Sequence, residues 1–147
     1  MPRSRPPLDP APEFFVDRSL GYHLVPDALR ALGFVVHTMR SVYGPHAEEI
    51  VPDTVWLQRA GREGWIVLTK DDAIRRRPVE LQALVANGVR SFCLTNANLT
   101  GEQQRHRFVA NVHRMVQRAR KPGPWICAVH ERQLVQIWPR PEQSSKG

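Results

Sequence analysis

Residues 65–77 read WIVLTKDDAIRRR. Four apolar residues, Trp65-Ile66-Val67-Leu68, run up to Thr69; the carboxylates Asp71 and Asp72 follow, then Arg75, Arg76 and Arg77. The run lacks the apolar–polar alternation of a strand with one wet face, so it predicts a strand inside a sheet covered on both faces. Such sheets are usually parallel and hold their ligands just past the carboxyl ends of the strands. Asp71 falls at that point. Taken alone, Asp71 or Asp72 fits the capping of the next helix as well as it fits a chemical role.

Outward from this stretch, strands and helices alternate. Phe14-Phe15-Val16 reads as a short buried strand ending at Asp17. A connection over 18–25 leads to a helix with Pro26 at its first position, a face of Val25, Ala28, Leu29 and Leu32, and a stop at Gly33. Residues 34–39 form the second strand, and residues 40–52 a long connection of the kind that is often functional. Asp53 opens a helix burying Trp56, Leu57 and Ala60, which stops near Gly61 to Gly64. After the strand at 65–69, Pro78 starts a helix stopped by Gly88, and residues 89–95 form another strand. Thr100 and Gln103 have the spacing of a capping box for the longest helix, about 100–120. Its core stripe is Phe108, Val109, Val112, Met115, Val116 and Ala119, while Arg107, Asn111, Arg114 and Arg118 line a separate face. Residues 125–129 and 134–138 read as a hairpin.

The alternation predicts an α/β fold with a doubly wound, mainly parallel sheet. Right-handed crossovers give a flavodoxin-like order, 2-1-3-4, with an antiparallel C-terminal hairpin at the edge. Residues 1–13 hold five of the 13 prolines and little apolar bulk. They predict a disordered tail, as do residues 139–147, around a single domain over 14–138.

A chain of 147 residues is long enough for one domain with a sizeable core. Its 41% hydrophobic and 24% charged residues are ordinary for a globular protein. No apolar run reaches the length of a membrane span and the N-terminus lacks a secretory h-region, so the expected location is the cytoplasm. Cys93 and Cys127 each sit in an apolar run and read as buried free thiols, not as a disulfide or metal site. The charge is less ordinary: 21 Lys and Arg against 14 Asp and Glu give +7, with a pI near 10.4. An arginine-rich basic surface suits phosphate contacts and nucleic acid, and equally an acidic protein partner.

In the predicted order, Asp17 follows the first strand and Asp71 the third, its neighbour. Asp53 heads the helix entered after the second. All three fall on one sheet edge, at the topological switch point. Uncompensated like charges a few ångströms apart repel by roughly 1–4 kcal/mol per pair. A hard divalent cation, Mg²⁺ or Mn²⁺, is the natural partner for such a set of oxygens. Each acid also has a plainer reading: Asp17 and Asp53 as caps, Asp72 as a solvated loop acid.

At these residues the chain resembles a known family. The stretches FFVDRSLG (14–21) and PDTVWLQRAGREGWIVLTKDD (52–72) resemble the PIN-like ribonucleases, in particular the compact VapC-type toxins of bacterial toxin–antitoxin pairs. The resemblance spans about 14–138. It implies a Mg²⁺- or Mn²⁺-dependent endoribonuclease neutralised by a cognate antitoxin, with a homodimer as a further implication. The metal-binding acids it implies are Asp17, Asp53 and Asp71, with Asp72, Glu48, Glu49 and Glu80 as alternatives for a fourth. Arg18, Lys70, Arg75, Arg76 and Arg77 are candidates for holding RNA phosphates, against a plain solvated face for any one of them. Arg107, Arg114 and Arg118 fit an extended RNA path, an acidic antitoxin segment or an exposed helix face.

Two other classes remain in view. A phosphoryl-accepting receiver needs an acid pair after the first strand and a late lysine; this chain has Asp17-Arg18 and ICAVHE at those places. A non-catalytic basic module would use the acids only as caps. The six histidines show no zinc-motif spacing, and Gly-x-Ser-x-Gly and P-loop signatures are missing from the sequence.

Overall fold

The computed structural model describes residues 11–46, 50–70 and 73–141. Six strands form one sheet: β1 (Phe14–Val16), β2 (Val36–Thr38), β3 (Ile66–Thr69), β4 (Arg90–Cys93), β5 (Trp125–Val129) and β6 (Leu134–Trp138), in the order β2-β1-β3-β4-β5-β6. Pairings are parallel through β5, and β6 closes the edge antiparallel to β5. The predicted order 2-1-3-4 with an antiparallel hairpin is therefore present, and β5 extends the parallel part.

The central strands are buried on both faces, which is why their sequences do not alternate. Phe14, Val16, Ile66 and Leu68 enter one core, with Leu29 and Phe108 from α1 (Leu24–Ala31) and α6 (Gly101–Arg118). Phe15 and Val67 enter the other, with Trp56, Leu57 and Leu84 from α3 (Asp53–Glu63) and α5 (Pro78–Ala86). Helices α3 and α5 approach closely at Gly61, where an added Cβ would lie 2.3 Å from the carbonyl oxygen of Asn87. Gly64 ends α3 in the left-handed conformation at φ 74°. Cys93 and Cys127 are buried free thiols on opposite faces of the sheet, and burial pushes the Cys127 thiol up.

Local differences from the sequence reading have physical causes. Helix α1 begins at Leu24, so Pro26 is its third residue; a first-turn proline forfeits no intrahelical hydrogen bond. The connection after β2 opens with a short helix, α2 (Met39–Tyr43), capped reciprocally by Thr38 and Ser41. Another, α4 (Ala73–Arg76), precedes α5. The Thr100–Gln103 capping box forms as expected. Among the described residues no helix is long and apolar enough to cross a membrane.

The Arg/Asn face of α6 differs most. Asn111 is fully buried, and its amide donates to the Arg107 carbonyl within the helix and to the carbonyls of His130 at 2.9 Å and Glu131 at 3.3 Å in the β5–β6 turn. Arg114 donates to the Asn111 side-chain oxygen, and Arg118 donates to Gln136 on β6 while lying over the Trp125 ring. Asn111 and Arg118 thus clamp the hairpin, while Arg114 stays exposed on the same helix. Asn111→Ala should lower stability by about 1–3 kcal/mol, because the turn carbonyls lose their buried donor. The midpoint of urea unfolding should fall while its slope stays unchanged.

Candidate active site

Asp17 leaves β1 in an extended conformation, and its backbone N–H donates to the Leu68 carbonyl at 2.9 Å. That bond ties the end of β1 to the end of β3. A 3-10 turn over Arg18–Leu20 follows. It presents the Ser19 hydroxyl, which donates to the Asp17 carboxylate at 2.8 Å and accepts the Lys70 backbone N–H at 3.1 Å. Ser19 therefore joins the strand ends a second time and orients Asp17.

Asp53 is the first residue of α3, and the N-cap position falls to Pro52. Oδ1 accepts the Trp56 indole N–H at 3.0 Å. Trp56 is buried and stacked on Phe15, ring centroids 5.1 Å apart. The core thus fixes this second carboxylate. Its other oxygen, Oδ2, faces the Arg77 Nη1 at 4.0 Å.

The two acids line one cavity of about 200 Å³ together with Arg18, Ser19, Thr69 and Arg77. It opens at the carboxyl ends of β1 and β3, where the sheet order places the switch point. A larger cleft of about 460 Å³ lies at the amino ends, beside Gly64, Trp65 and Arg90. Its polar groups are already engaged: Glu13 with His37, Glu63 with Arg59, and Arg90 with the Gly64 and Ala119 carbonyls. The smaller cavity is the one with chemistry to offer.

Burial holds the Asp17 carboxyl above its ordinary range; the Ser19 hydrogen bond opposes this and the Asp53 charge adds to it. The two carboxylates therefore sense each other. The donors around them are oxygens, with neither histidine nor cysteine among the described lining residues. Oxygen donors are the kind a hard cation takes, although no three His, Cys, Asp or Glu side chains gather among the described residues.

Of the candidates, the structure brings together Asp17, Asp53, Arg18 and Arg77. Lys70 contributes its backbone N–H beside them. Arg75 and Arg76 lie on α4, outside the cavity lining, and Glu80 stands in the first turn of α5, also outside it. Asp71, Asp72, Glu48 and Glu49 lie outside the described residues. Two contributors were missed from sequence, Ser19 and the indole N–H of Trp56. The second had a signal, an Asp and a Trp three apart on a helix.

The model of the PIN like domain matches residues 12–96, more than half of the chain and all of β1 to β4. The chain belongs to the PIN-like domain family, as the sequence motifs led us to expect. It is also similar to a Mycobacterium tuberculosis protein named "Putative ribonuclease VapC45", with 40% identity over 123 residues, 84% of this chain and 89% of that protein. No solved structure matches the chain significantly.

The raised Asp17 carboxyl predicts a pH-dependent stability difference. Between its ordinary and raised values the native state binds more protons than the unfolded one, so stability falls as pH rises through that window. Above it, the ionised Asp17 is a net cost. In EDTA near pH 7, Asp17→Asn should therefore melt above the wild type by a few degrees. The gap should close as pH falls below the ordinary aspartate range, as thermal melts across pH will read.

Proposed function

We propose that this chain is a Mg²⁺- or Mn²⁺-dependent endoribonuclease, the toxin of a type II toxin–antitoxin pair, acting in the cytoplasm and silenced by a cognate antitoxin. The observation that carries the reading is the meeting of Asp17 and Asp53 in one cavity at the carboxyl ends of adjacent parallel strands. Family membership and the relative's name as a ribonuclease point the same way.

In this reading Asp17, Asp53 and Asp71 hold the cation, with Asp72 as a further ligand. Bound there, the cation supplies an acidified water and offsets charge on the phosphodiester. The chain's own residues set up that chemistry. Ser19 keeps the Asp17 oxygens aimed into the cavity, and Trp56 does the same for Asp53. Both donors are neutral, so they orient the carboxylates without cancelling their charge. Arg18 and Arg77 of the cavity lining, with Lys70, Arg75 and Arg76 beside it, hold neighbouring RNA phosphates. The +7 surplus draws RNA toward this edge. Assembly as a homodimer follows the resemblance to the toxin family.

Purified protein should cleave RNA with Mg²⁺ or Mn²⁺ and stop in EDTA. Asp53→Asn should lower kcat/KM by more than about 100-fold, beyond the loss typical of an outer-shell change, with the circular dichroism spectrum retained. Cleavage that persists in EDTA and in the Asp53→Asn protein overturns the proposal.

A further inference from the structure

We infer that Arg77 is the resident counter-ion of Asp53, which a divalent cation has to displace and which then turns to the substrate phosphate. The inference rests on the metal-dependent nuclease reading above and assigns a second role to a residue of that site.

Three observations carry it. First, the two Asp53 oxygens are committed differently: Oδ1 holds the Trp56 indole N–H at 3.0 Å, and Oδ2 faces Arg77 Nη1 at 4.0 Å. The oxygen not engaged by the indole is the one the guanidinium attends. Second, Arg77 and both carboxylates line the same cavity. A cation entering it meets the guanidinium charge together with the acids. Third, the Arg77 backbone is anchored while its side chain is not. Its N–H donates to the Ile74 carbonyl at 3.3 Å, and its own carbonyl accepts the Leu81 N–H at 2.9 Å. The side chain is 59% exposed, against 21% for Asp53.

An ion pair that long and that exposed is weak. It is enough to offset part of the negative charge in the empty site, and little enough to be given up. A cation on Oδ2 would place a like charge close to the guanidinium, and the repulsion favours its leaving an oxygen it holds only at 4.0 Å. Swinging outward about its fixed backbone, it reaches the lip of the cavity. There its planar fork matches a phosphodiester. The structure thus points to an exchange at Oδ2, guanidinium out and metal in, that releases a phosphate-binding group as the cation arrives.

The test is a Mn²⁺ titration of the full chain, read by the electron paramagnetic resonance signal of free Mn²⁺, for wild type, Arg77→Gln and Arg77→Lys. Removing the competitor in Arg77→Gln should tighten Mn²⁺ about two- to fivefold, the scale of one exposed, partly screened charge. Arg77→Lys, which keeps the charge, should stay near wild type. At saturating Mn²⁺ the same Arg77→Gln protein should show a higher KM for RNA. Gain in metal affinity with loss in RNA affinity is a pairing that a merely structural arginine does not produce. If wild type binds Mn²⁺ and Arg77→Gln binds it equally or more weakly, the exchange is overturned and the nuclease reading stands. If none of the proteins binds Mn²⁺, both fall.

Discussion

The parallel pairing of β1 with β3 is the constraint on which the rest depends. Val16 lies opposite Leu68, and the next residue, Asp17, donates its backbone N–H to Leu68. Ser19 and Lys70, 51 residues apart in sequence, then meet through one hydroxyl. Nothing local holds such distant segments in register. The two cores do. Phe14 and Val16 belong to one and Phe15 to the other, so a slip by one residue would exchange every side chain between them. The location of Asp17 is therefore decided by hydrophobic packing, and its orientation by the Ser19 hydroxyl together with the Arg18 backbone.

Asp53 reaches the same cavity by a different route. A buried tryptophan seeks a partner for its N–H, and Trp56 finds it in this carboxylate. Because the Trp56 ring also stacks on Phe15, the helix carrying Asp53 is indexed against the strand carrying Asp17. The proposed metal ligands share neighbours in the core, so a packing change there moves the site as well as the stability. In that sense the cavity is an extension of the second core toward solvent.

How much of this could be read beforehand varied with the kind of signal. Sheet order was legible because apolar runs such as Phe14–Val16 and Ile66–Leu68 identify doubly covered strands, and handedness then limits the connections. The meeting of Asp17 and Asp53 followed from that order alone. Signals that depend on a single side chain were harder. Helix α2 is closed by Ser41 where a capping box usually has Glu or Gln, so Thr38 did not announce it. Ser19, inside the connection over 18–25, carried no signal of its own, since its bond to Lys70 exists only once the strands are paired. The arginines of α6 have the spacing of a solvated face, and only the hairpin folding back onto that face buries Asn111 among them. Asp71 and Asp72, the acids that began the argument, lie outside the described residues, and their part in the site stays a proposal.

The charges act on two length scales. Overall the chain carries a surplus of +7, felt by a polyanion out to about the Debye length of ~8–10 Å. Inside the cavity two carboxylates, oriented by the neutral donors Ser19 and Trp56, share the lining with Arg18 and with Arg77, the latter 4.0 Å from Asp53. A phosphodiester drawn in by the outer field would still be repelled by those carboxylates. A cation between acid and phosphate removes that contradiction, because its charge is attracted by both. The raised Asp17 carboxyl has a related origin: burial and the Asp53 charge work against ionisation, and the Ser19 hydroxyl with the Arg18 backbone and charge only partly relieve them. The fold keeps the two carboxylates in one cavity and oriented by neutral donors, the arrangement on which the proposed cation site rests.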